Sequence, residues 1–222
     1  MKRIFTGLLL FIVTTKLSAQ EAGNGYGFRL GLTAYPTIGW VKPQIGKSNN
    51  VSLGFAYGLL ADFNFAENYS FATGLTITTI NGRSTEIITS PAEGGNPPSQ
   101  TPYELKYRLQ YIELPLTLKL RTGEINGIRW YGQFGLSNDL NVGAKQDADV
   151  SGNAAYRDQK ISDEIKFYRA GLIIGAGGEF DISGQTSITA GISYNNGFTD
   201  ITKSNDNSIR NHYIGINFGV FF

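Results

Sequence analysis

Apolar residues alternate with small or polar residues, one position at a time, over most of the chain. The pattern is clearest between residues 51 and 65, where eight apolar side chains share one parity. They are Val51, Leu53, Phe55, Tyr57, Leu59, Ala61, Phe63 and Phe65. A β-strand places such residues on one face, whereas a helix would spread them around its axis. The alternation therefore predicts an all-β protein.

Eight segments carry this alternation, and the connections between them differ in a regular way. The segments span residues 25–35, 51–65, 69–80, 103–120, 128–142, 168–180, 186–194 and 213–222. Short polar turns are expected at 66–68, 121–127 and 181–185, and long polar loops at 41–50, 82–102, 143–166 and 197–211. If neighbouring strands are antiparallel, all short turns lie at one end and all long loops at the other. This asymmetry is typical of membrane barrels with periplasmic turns and extracellular loops.

The size of the side chains indicates which face of the strands points outward. The less apolar parity carries many of the 28 glycines, together with a few charged residues. An eight-stranded barrel has an interior only just wide enough for side chains to fill, so the bulky Tyr, Phe and Leu stripe would overfill it. The sequence therefore predicts an eight-stranded antiparallel up-and-down transmembrane β-barrel. A soluble ligand-binding barrel is the alternative at the level of the fold.

Charged residues on the interior parity must find partners, because isolated buried charges are costly. We therefore expect three arginines to pair with three carboxylates inside the barrel. The predicted lumenal charge network comprises Arg29, Arg129 and Arg169 with Asp62, Glu113 and Glu179.

The fourth strand shows a change of phase. Its apolar residues occupy odd positions from Tyr103 to Tyr111 and even positions from Ile112 to Leu120. A one-residue bulge between Tyr111 and Ile112 would keep one apolar face through this change. Pro115 follows closely and cannot donate a ladder hydrogen bond, which favours local irregularity.

Aromatic residues are concentrated near both ends of the predicted strands, as expected for two interfacial girdles. Near the short turns these are Phe63, Phe65, Tyr69, Phe71, Trp130, Phe180 and Phe222. Toward the long loops they are Trp40, Tyr103, Tyr107 and Tyr194.

The N-terminus has the three-part layout of a secretory signal peptide. Lys2 and Arg3 precede an apolar run at residues 4–13, and small residues follow near Ala19. We expect residues 1–19 to be removed on export and residues 20–222 to form the barrel domain. The chain contains no cysteine, which excludes disulfides and lipoprotein anchors. Its 19 basic and 18 acidic residues give no charge bias toward nucleic acid.

Two weak chemical motifs remain. The third long loop matches calcium-loop spacing at Asp147, Asp149, Ser151, Gly152, Asn153 and Asp158. Flanking helices are not evident and Asp replaces the usual terminal Glu, so a solvated polar loop without metal is expected. His212 is the only histidine, and a serine such as Ser193 could accompany it in a lipid-modifying enzyme. An interfacial polar residue is the simpler interpretation of His212.

Three motifs resemble a known family. Residues 109–116, reading LQYIELPL, are similar to the tyrosine, glutamate and proline-leucine signature of the PorT-type outer-membrane β-barrel family. Residues 194–201 and 210–222 are similar to its last two strands. The resemblance implies an eight-stranded barrel in a Gram-negative outer membrane, without catalytic residues. The chain also ends on Phe218, Val220 and Phe222, which resemble the signal recognised by barrel-assembly machinery.

The expected function is that of a non-enzymatic outer-membrane barrel, structural or binding through its extracellular loops. Its expected partners are outer-membrane lipids, the barrel-assembly machinery and a protein of an envelope or secretion complex; no cofactor or nucleic acid is expected. A small porin-like channel and a lipid-modifying enzyme are the alternatives.

Overall fold

A computed structural model describes residues 27–90, 99–184, 186–204 and 207–222 of the chain. The predicted signal peptide lies outside these residues. Over them the chain forms nine β-strands. The strands are β1 (Phe28–Pro43), β2 (Lys47–Ala66), β3 (Tyr69–Ser90), β4 (Ser99–Arg121), β5 (Ile128–Val150), β6 (Asn153–Lys160), β7 (Tyr168–Ser183), β8 (Thr186–Gly197) and β9 (Ile209–Phe221).

Eight of the strands form a closed antiparallel ring. Each strand pairs with its neighbour in sequence, except that β5 pairs with β7, and the ring closes where β9 meets β1. The ninth strand, β6, pairs only with the upper part of β5 and lies outside the ring. The predicted eight-stranded up-and-down barrel is therefore confirmed, with one extra strand that the alternation did not indicate.

The two faces of the ring are inverted relative to a soluble protein. The apolar residues of β2, from Val51 to Phe65, point outward and are exposed, whereas Ala56 and Asp62 point inward and are buried. Where described, the chain contains no helix long and apolar enough to cross a membrane. An outward apolar belt on strands whose backbone groups are paired within the ring is the arrangement that lipid requires.

Among the described residues, three of the four predicted long loops, at 41–50, 82–102 and 143–166, are largely strands, whereas most of the fourth, at 197–211, is not. Ile87 and Pro102 still face each other across the β3–β4 hairpin, ten residues beyond Ile77 on β3. The predicted loop at 143–166 contains the end of β5 and all of β6. These extensions form a raised wall on one side of the barrel mouth, made of residues 47–50, 79–90, 99–110, 143–150 and 153–160. At ~3.3 Å per residue and a tilt of ~40°, Ile87 stands about 25 Å above Ile77.

The bulge predicted within β4 is wrong. Pairing between β3 and β4 keeps its register from Thr76–Glu113 to Ser90–Ser99, and odd-numbered residues of β4 face inward throughout. The apolar residues of β4 change parity because the environment inside the barrel changes along the strand. Above the membrane belt the interior is filled with apolar side chains such as Leu105 and Tyr107. The irregularity lies on β5, where Val142 is an extra residue opposite Gln110 and Tyr111. Tyr103 and Tyr107, both predicted for an interfacial girdle, therefore point inward.

The apolar interior of the upper barrel forms a plug. Residues 161–167 and 198–204 fold over the mouth and insert isoleucines between the wall and the opposite strands. The apolar plug comprises Val41, Ile80, Leu105, Tyr107, Leu109, Tyr111, Ala144, Ala148, Ile161, Ile165, Ile201, Ile209 and Tyr213.

Inward-facing glycines let adjacent strands approach closely, and Gly135 on β5 provides a test. A Cβ at Gly135 would lie 2.6 Å from the Thr117 Cα and closer still to the Leu116 carbonyl oxygen. We expect Gly135→Ala to lower the free energy of unfolding by about 1–3 kcal/mol through overpacking. The measurement is the urea midpoint of protein refolded into lipid vesicles.

Gly132, on the same strand, is the matched control, because a Cβ there meets no atom within 4 Å. Gly132→Ala should stay within about 0.5 kcal/mol of the parent. Equal effects of the two substitutions would contradict the close approach of β4 to β5.

Candidate functional site

The barrel interior near the short turns is closed by a layer of ion pairs. Arg29 on β1 donates to Glu179 on β7 at 2.6 Å and to Asp62 on β2 at 3.0 Å. Lys119 on β4 lies 3.1 Å from Asp62 and 3.5 Å from Glu179. Arg121 reaches the same Asp62 carboxylate at 3.3 Å. We call these five residues the ionic layer.

Aromatic rings cover the ionic layer from above. The Lys119 ammonium lies 4.6 Å from the centre of the Tyr131 ring and 5.0 Å from that of Phe221. The Arg29 guanidinium also lies 4.6 Å from the Phe221 ring. Cation–π contacts of this kind stabilise cations in places that water does not reach. The ionic layer is therefore held by charge pairing within it and by ring contacts above it.

A second polar layer lies nearer the long hairpins and is built around Arg169 on β7. Its fully buried guanidinium pairs with Asp139 on β5, donates to the Asn195 side chain at 2.9 Å, and donates to the Asn211 backbone carbonyl at 3.0 Å. Ser137 lies beside this pair. We call these five residues the arginine layer. The amide and hydroxyl groups around this charged pair provide hydrogen-bond partners for most of the polar atoms buried there.

Glu113 on β4 lies next to the arginine layer without an arginine of its own. Its carboxylate accepts a hydrogen bond from the Tyr213 hydroxyl, whose oxygen lies 2.8 and 2.7 Å from the two carboxylate oxygens. The Asn195 amide lies 3.5 Å away. Glu113 is paired in register with Asp139, which in turn is paired with Arg169. Two buried carboxylates therefore face a single guanidinium.

Between the two layers lies a cavity of about 90 Å³. Its lining includes Glu113 and Tyr213 at one end and Asp62 and Lys119 at the other. This volume holds a small cluster of water molecules, since about 10–15 Å³ of such space is needed for one. The ionic layer, the small cavity, the arginine layer and the apolar plug succeed one another along the axis. Over the described residues the lumen is filled.

Backbone hydrogen bonds hold the two loops of the mouth together. The Lys166 N–H donates to the Ile201 carbonyl at 2.7 Å, and the Lys203 N–H donates to the Glu164 carbonyl at 2.8 Å. Asp200 pairs with the Lys166 ammonium at 2.8 Å. Its carboxylate also accepts from the Ile209 N–H at 2.9 Å. The mouth is therefore an ordered lid over the apolar plug.

The six residues of the predicted charge network are placed in three groups. Arg29, Asp62 and Glu179 meet in the ionic layer, and Arg129 lies at its edge, 3.5 Å from Glu179. Arg169 and Glu113 belong to the upper region, where the carboxylate that pairs with Arg169 is Asp139.

Asp139, Lys119 and Arg121 were not predicted from the sequence as members of the interior ion pairs. All three lie on the inward parity of their strands, so parity alone marked them as interior residues. Choosing between partners required the register: Arg29 is opposite Asp62, Arg129 opposite Glu179 and Arg169 opposite Asp139.

The calcium-loop candidates lie along a hairpin rather than around a single point. Asp147 and Asp149 belong to β5, Ser151 lies in the turn, and Asn153 and Asp158 belong to β6. Arginines contact the carboxylates: Arg108 bridges Asp147 and Asp158, and Arg157 pairs with Asp149. In the part of the chain that is described, no group of three or more His, Cys, Asp or Glu residues could hold a metal ion.

His212 and Ser193 lie on opposite faces of the barrel wall, so they do not form a catalytic pair. Ser193 points into the lumen and contacts Asn217 at 3.2 Å. His212 is on the outward parity of β9 and stacks on Trp40, with ring centres 5.7 Å apart. Trp40 also stacks on Tyr194 at 6.0 Å, which gives an outward aromatic cluster at the upper edge of the belt.

The three residues of the proposed assembly signal point outward. Phe218 and Val220 on β9 and Phe222 directly after it are exposed, whereas Phe221 is buried against the ionic layer. The last strand therefore presents an apolar stripe to lipid and contributes one aromatic ring to the interior.

Comparisons with known proteins are consistent with this architecture. A family model described as "Outer membrane protein beta-barrel domain" matches residues 18–203. No curated protein sequence matches the chain.

Several solved structures of bacterial surface proteins are similar to it. OprG from Pseudomonas aeruginosa has 13% identity, covers 90% of this chain and 98% of its own, and gives a TM-score of 0.48. Neisserial surface protein A has 14% identity, with 90% and 98% coverage and a TM-score of 0.46. Ail of Yersinia pestis has 15% identity, with 86% and 97% coverage and a TM-score of 0.36.

The pair formed by Arg169 and Asp139 gives a test of the upper layer. Asp139→Arg or Arg169→Asp alone leaves like charges buried together, and each should cost about 3–5 kcal/mol of unfolding free energy. The reversed pair, carrying both changes, should recover at least half of the loss. Urea unfolding in lipid vesicles measures each variant.

Asp181→Asn serves as the control, because its partner Arg129 lies at the exposed rim of the lumen. Its expected effect is below about 1 kcal/mol. A reversed pair no more stable than either single variant would contradict a specific interaction between Arg169 and Asp139.

Asp200 gives a test of the lid by pH. Partial burial by itself would raise the pKa of Asp200, but Lys166 and the N–H groups of Thr202 and Ile209 lower the pKa to about 2. An ordinary Asp titrates near 3.9. The stabilisation of the lid is therefore complete above about pH 4 and is lost as the pH falls through about 2. NMR titration of the Ile209 amide measures this directly.

In Asp200→Asn this titration should vanish, and the Ile209 amide should exchange faster at every pH. Asp163→Asn, in the neighbouring loop, should leave the titration unchanged. A midpoint near 3.9 in the parent protein would show that the lid contacts do not hold the carboxylate.

Proposed function

Because the chain belongs to the family of outer membrane protein beta-barrel domains, we propose that it is a non-conducting, non-enzymatic barrel that acts by binding a protein partner on its extracellular side. In an outer-membrane barrel the short turns face the periplasm and the long hairpins face outward. The raised wall and the lid therefore stand on the extracellular surface.

The filled lumen carries the first part of this proposal. A conducting pore needs a continuous aqueous path, and the axis of this barrel is occupied by the ionic layer, the arginine layer and the apolar plug. The cavity between the ionic layer and the arginine layer has a volume of about 90 Å³. A porin-like channel is therefore the less supported alternative.

The raised wall carries the second part. β3 and β4 stay paired well beyond the apolar belt, and Ile87, on the outer face of the wall, is exposed. A paired, ordered surface loses little conformational entropy on binding, which favours affinity. The lid packs against the inner face of the wall and fixes its position relative to the barrel.

The enzymatic alternative has less support. It rested on His212, which is stacked against Trp40 and is separated by the barrel wall from Ser193. Its ring nitrogen Nδ1 has no hydrogen-bond partner among the described residues. General acid–base catalysis requires a partner within hydrogen-bond reach, so we assign His212 to the interfacial aromatic cluster.

Two finer assignments belong to the same proposal. The residues from Leu109 to Leu116 and the last two strands support placement with PorT-type barrels, in which case the partner would be part of an envelope or secretion complex. The charged and apolar pattern of residues 1–19 supports export by a cleaved signal peptide.

Photo-crosslinking in whole outer membranes, combined with conductance measurements, tests the proposal. A photoreactive residue at Ile87 should yield a discrete protein adduct, whereas the same residue at Leu59 in the lipid belt should yield lipid adducts only. A variant in which Asn-Gly replaces residues 86–103 and joins Thr85 to Glu104 should keep the ring and lose the interaction. Heat-modifiable gel migration verifies that each barrel has folded.

In planar bilayers the folded protein should be silent. Stepwise currents from the full chain would overturn the non-conducting assignment. A partner that is still retained by the variant with the shortened hairpin would overturn the role of the wall.

A further inference from the structure

Basic residues on the outward face of the barrel oppose one another directly just above the apolar belt. Lys42 on β1 is in register with Arg210 on β9, and Arg83 on β3 with Lys106 on β4. Arg108 on β4 is opposite Lys145 on β5, which is opposite Lys160 on β6. We name these seven residues the basic girdle: Lys42, Arg83, Lys106, Arg108, Lys145, Lys160 and Arg210.

Like charges placed directly across a ladder destabilise a sheet. The girdle contains four such pairs, and the protein's own carboxylates neutralise only part of it. Asp147 and Asp158 contact Arg108 at 2.7 and 2.6 Å, and Lys145 lies 3.7 Å from Asp158. Among the described residues, no carboxylate lies within ion-pairing distance of the other five girdle residues. Asp147 is also opposite Lys106 in register, so part of the charge on β4 is balanced. Lys42, Arg83, Lys160 and Arg210 remain without an ion-pairing carboxylate among the described residues, and the girdle therefore presents net positive charge.

The girdle begins near the height of the lipid headgroups and extends above them. Arg108 lies four residues and Lys106 six residues beyond Ile112, the last apolar outward residue of β4, which corresponds to about 10 and 15 Å in height for strands tilted by ~40°. On the opposite side, Lys42 lies two residues beyond Trp40 of the interfacial aromatic cluster. The headgroup region extends ~5–8 Å beyond the hydrocarbon, and long basic side chains can bend toward it.

We propose that the basic girdle binds the phosphate groups of phosphorylated glycolipids in the outer leaflet. The girdle occurs on two opposite sides of the barrel, one formed by β1 and β9 and the other by β3 to β6. A soluble partner would need a basic surface on one side only, whereas lipid surrounds the barrel. The periplasmic end differs: its turns expose Glu67 and Glu124, and Arg121 points inward to Asp62. Positive charge thus faces the lipid at the extracellular end of the belt.

Binding of lipid A to the full-length protein in neutral detergent tests this inference. The probes are lipid A with two phosphates and the same lipid after enzymatic dephosphorylation, and the readout is a binding isotherm. The diphosphorylated lipid should bind more tightly, and higher salt should weaken its binding. Each girdle charge removed should weaken binding about fivefold.

Two double variants probe the two sides of the girdle, and a third is the matched control. Lys145→Gln with Lys160→Gln and Lys42→Gln with Arg210→Gln should each weaken binding about 25-fold. Lys47→Gln with Lys203→Gln removes two extracellular lysines outside the girdle and should leave the affinity unchanged. Heat-modifiable migration verifies folding of every variant.

Equal binding of the two lipids would overturn the inference, as would equal losses in the girdle and control variants. A loss of affinity in only one of the two double variants would indicate a local site and would overturn the proposal that both sides of the girdle bind the lipid. Complete competition by a soluble sulfated polysaccharide, at concentrations where inorganic phosphate has no effect, would assign the surface to a soluble polyanion instead.

Discussion

Closure of the ring by β1 and β9 is the constraint on which the rest of the structure depends. In hydrocarbon no water can satisfy a free backbone N–H or C=O group, so an open sheet edge cannot be tolerated there. The pairing from Gly31–Phe221 to Pro43–Ile209 removes that edge. With eight strands in the ring, the interior is narrow, and every inward side chain has to fit the space that closure leaves.

That narrow interior explains both the composition and the filled lumen. Glycines such as Gly135 occur where strands approach too closely for a Cβ, and the remaining space is filled by charged and amide side chains. Because a buried charge needs a partner, the charges occur in layers in which each guanidinium or ammonium meets a carboxylate. The same requirement closes the lumen, so our proposals for function place binding on the raised wall and on the outer surface of the barrel.

The alternation of side chains predicted the all-β class and the number of strands in the ring, and the size of the side chains predicted that the apolar stripe points outward. It failed in β4, where Leu105 and Leu118 are both apolar but face opposite sides of the wall. A periodicity analysis assumes one environment for each face along the whole strand. Here the interior is polar within the membrane and apolar above it, so the interior face becomes apolar above the belt. The raised wall was missed for a related reason: its polar residues were interpreted as loops, although they remain paired as strands in contact with water.

For the candidate site, parity placed Arg29, Arg129 and Arg169 in the interior, but it could not choose their partners. Which carboxylate faces which arginine depends on the stagger between strands. A shift of two residues leaves every side chain on the same face of the sheet but gives it a different partner on the neighbouring strand. The pairing of Asp139 with Arg169 and the opposition of basic residues in the girdle could be recognised only once that register was known. The sequence by itself determined that this chain forms a closed barrel with its apolar face outward, because the period of two and the small interior residues allow little else. Only the tertiary structure decided which residues meet inside the lumen and that like charges meet on the outer surface of the barrel, because both depend on which residues the stagger of the ring brings together.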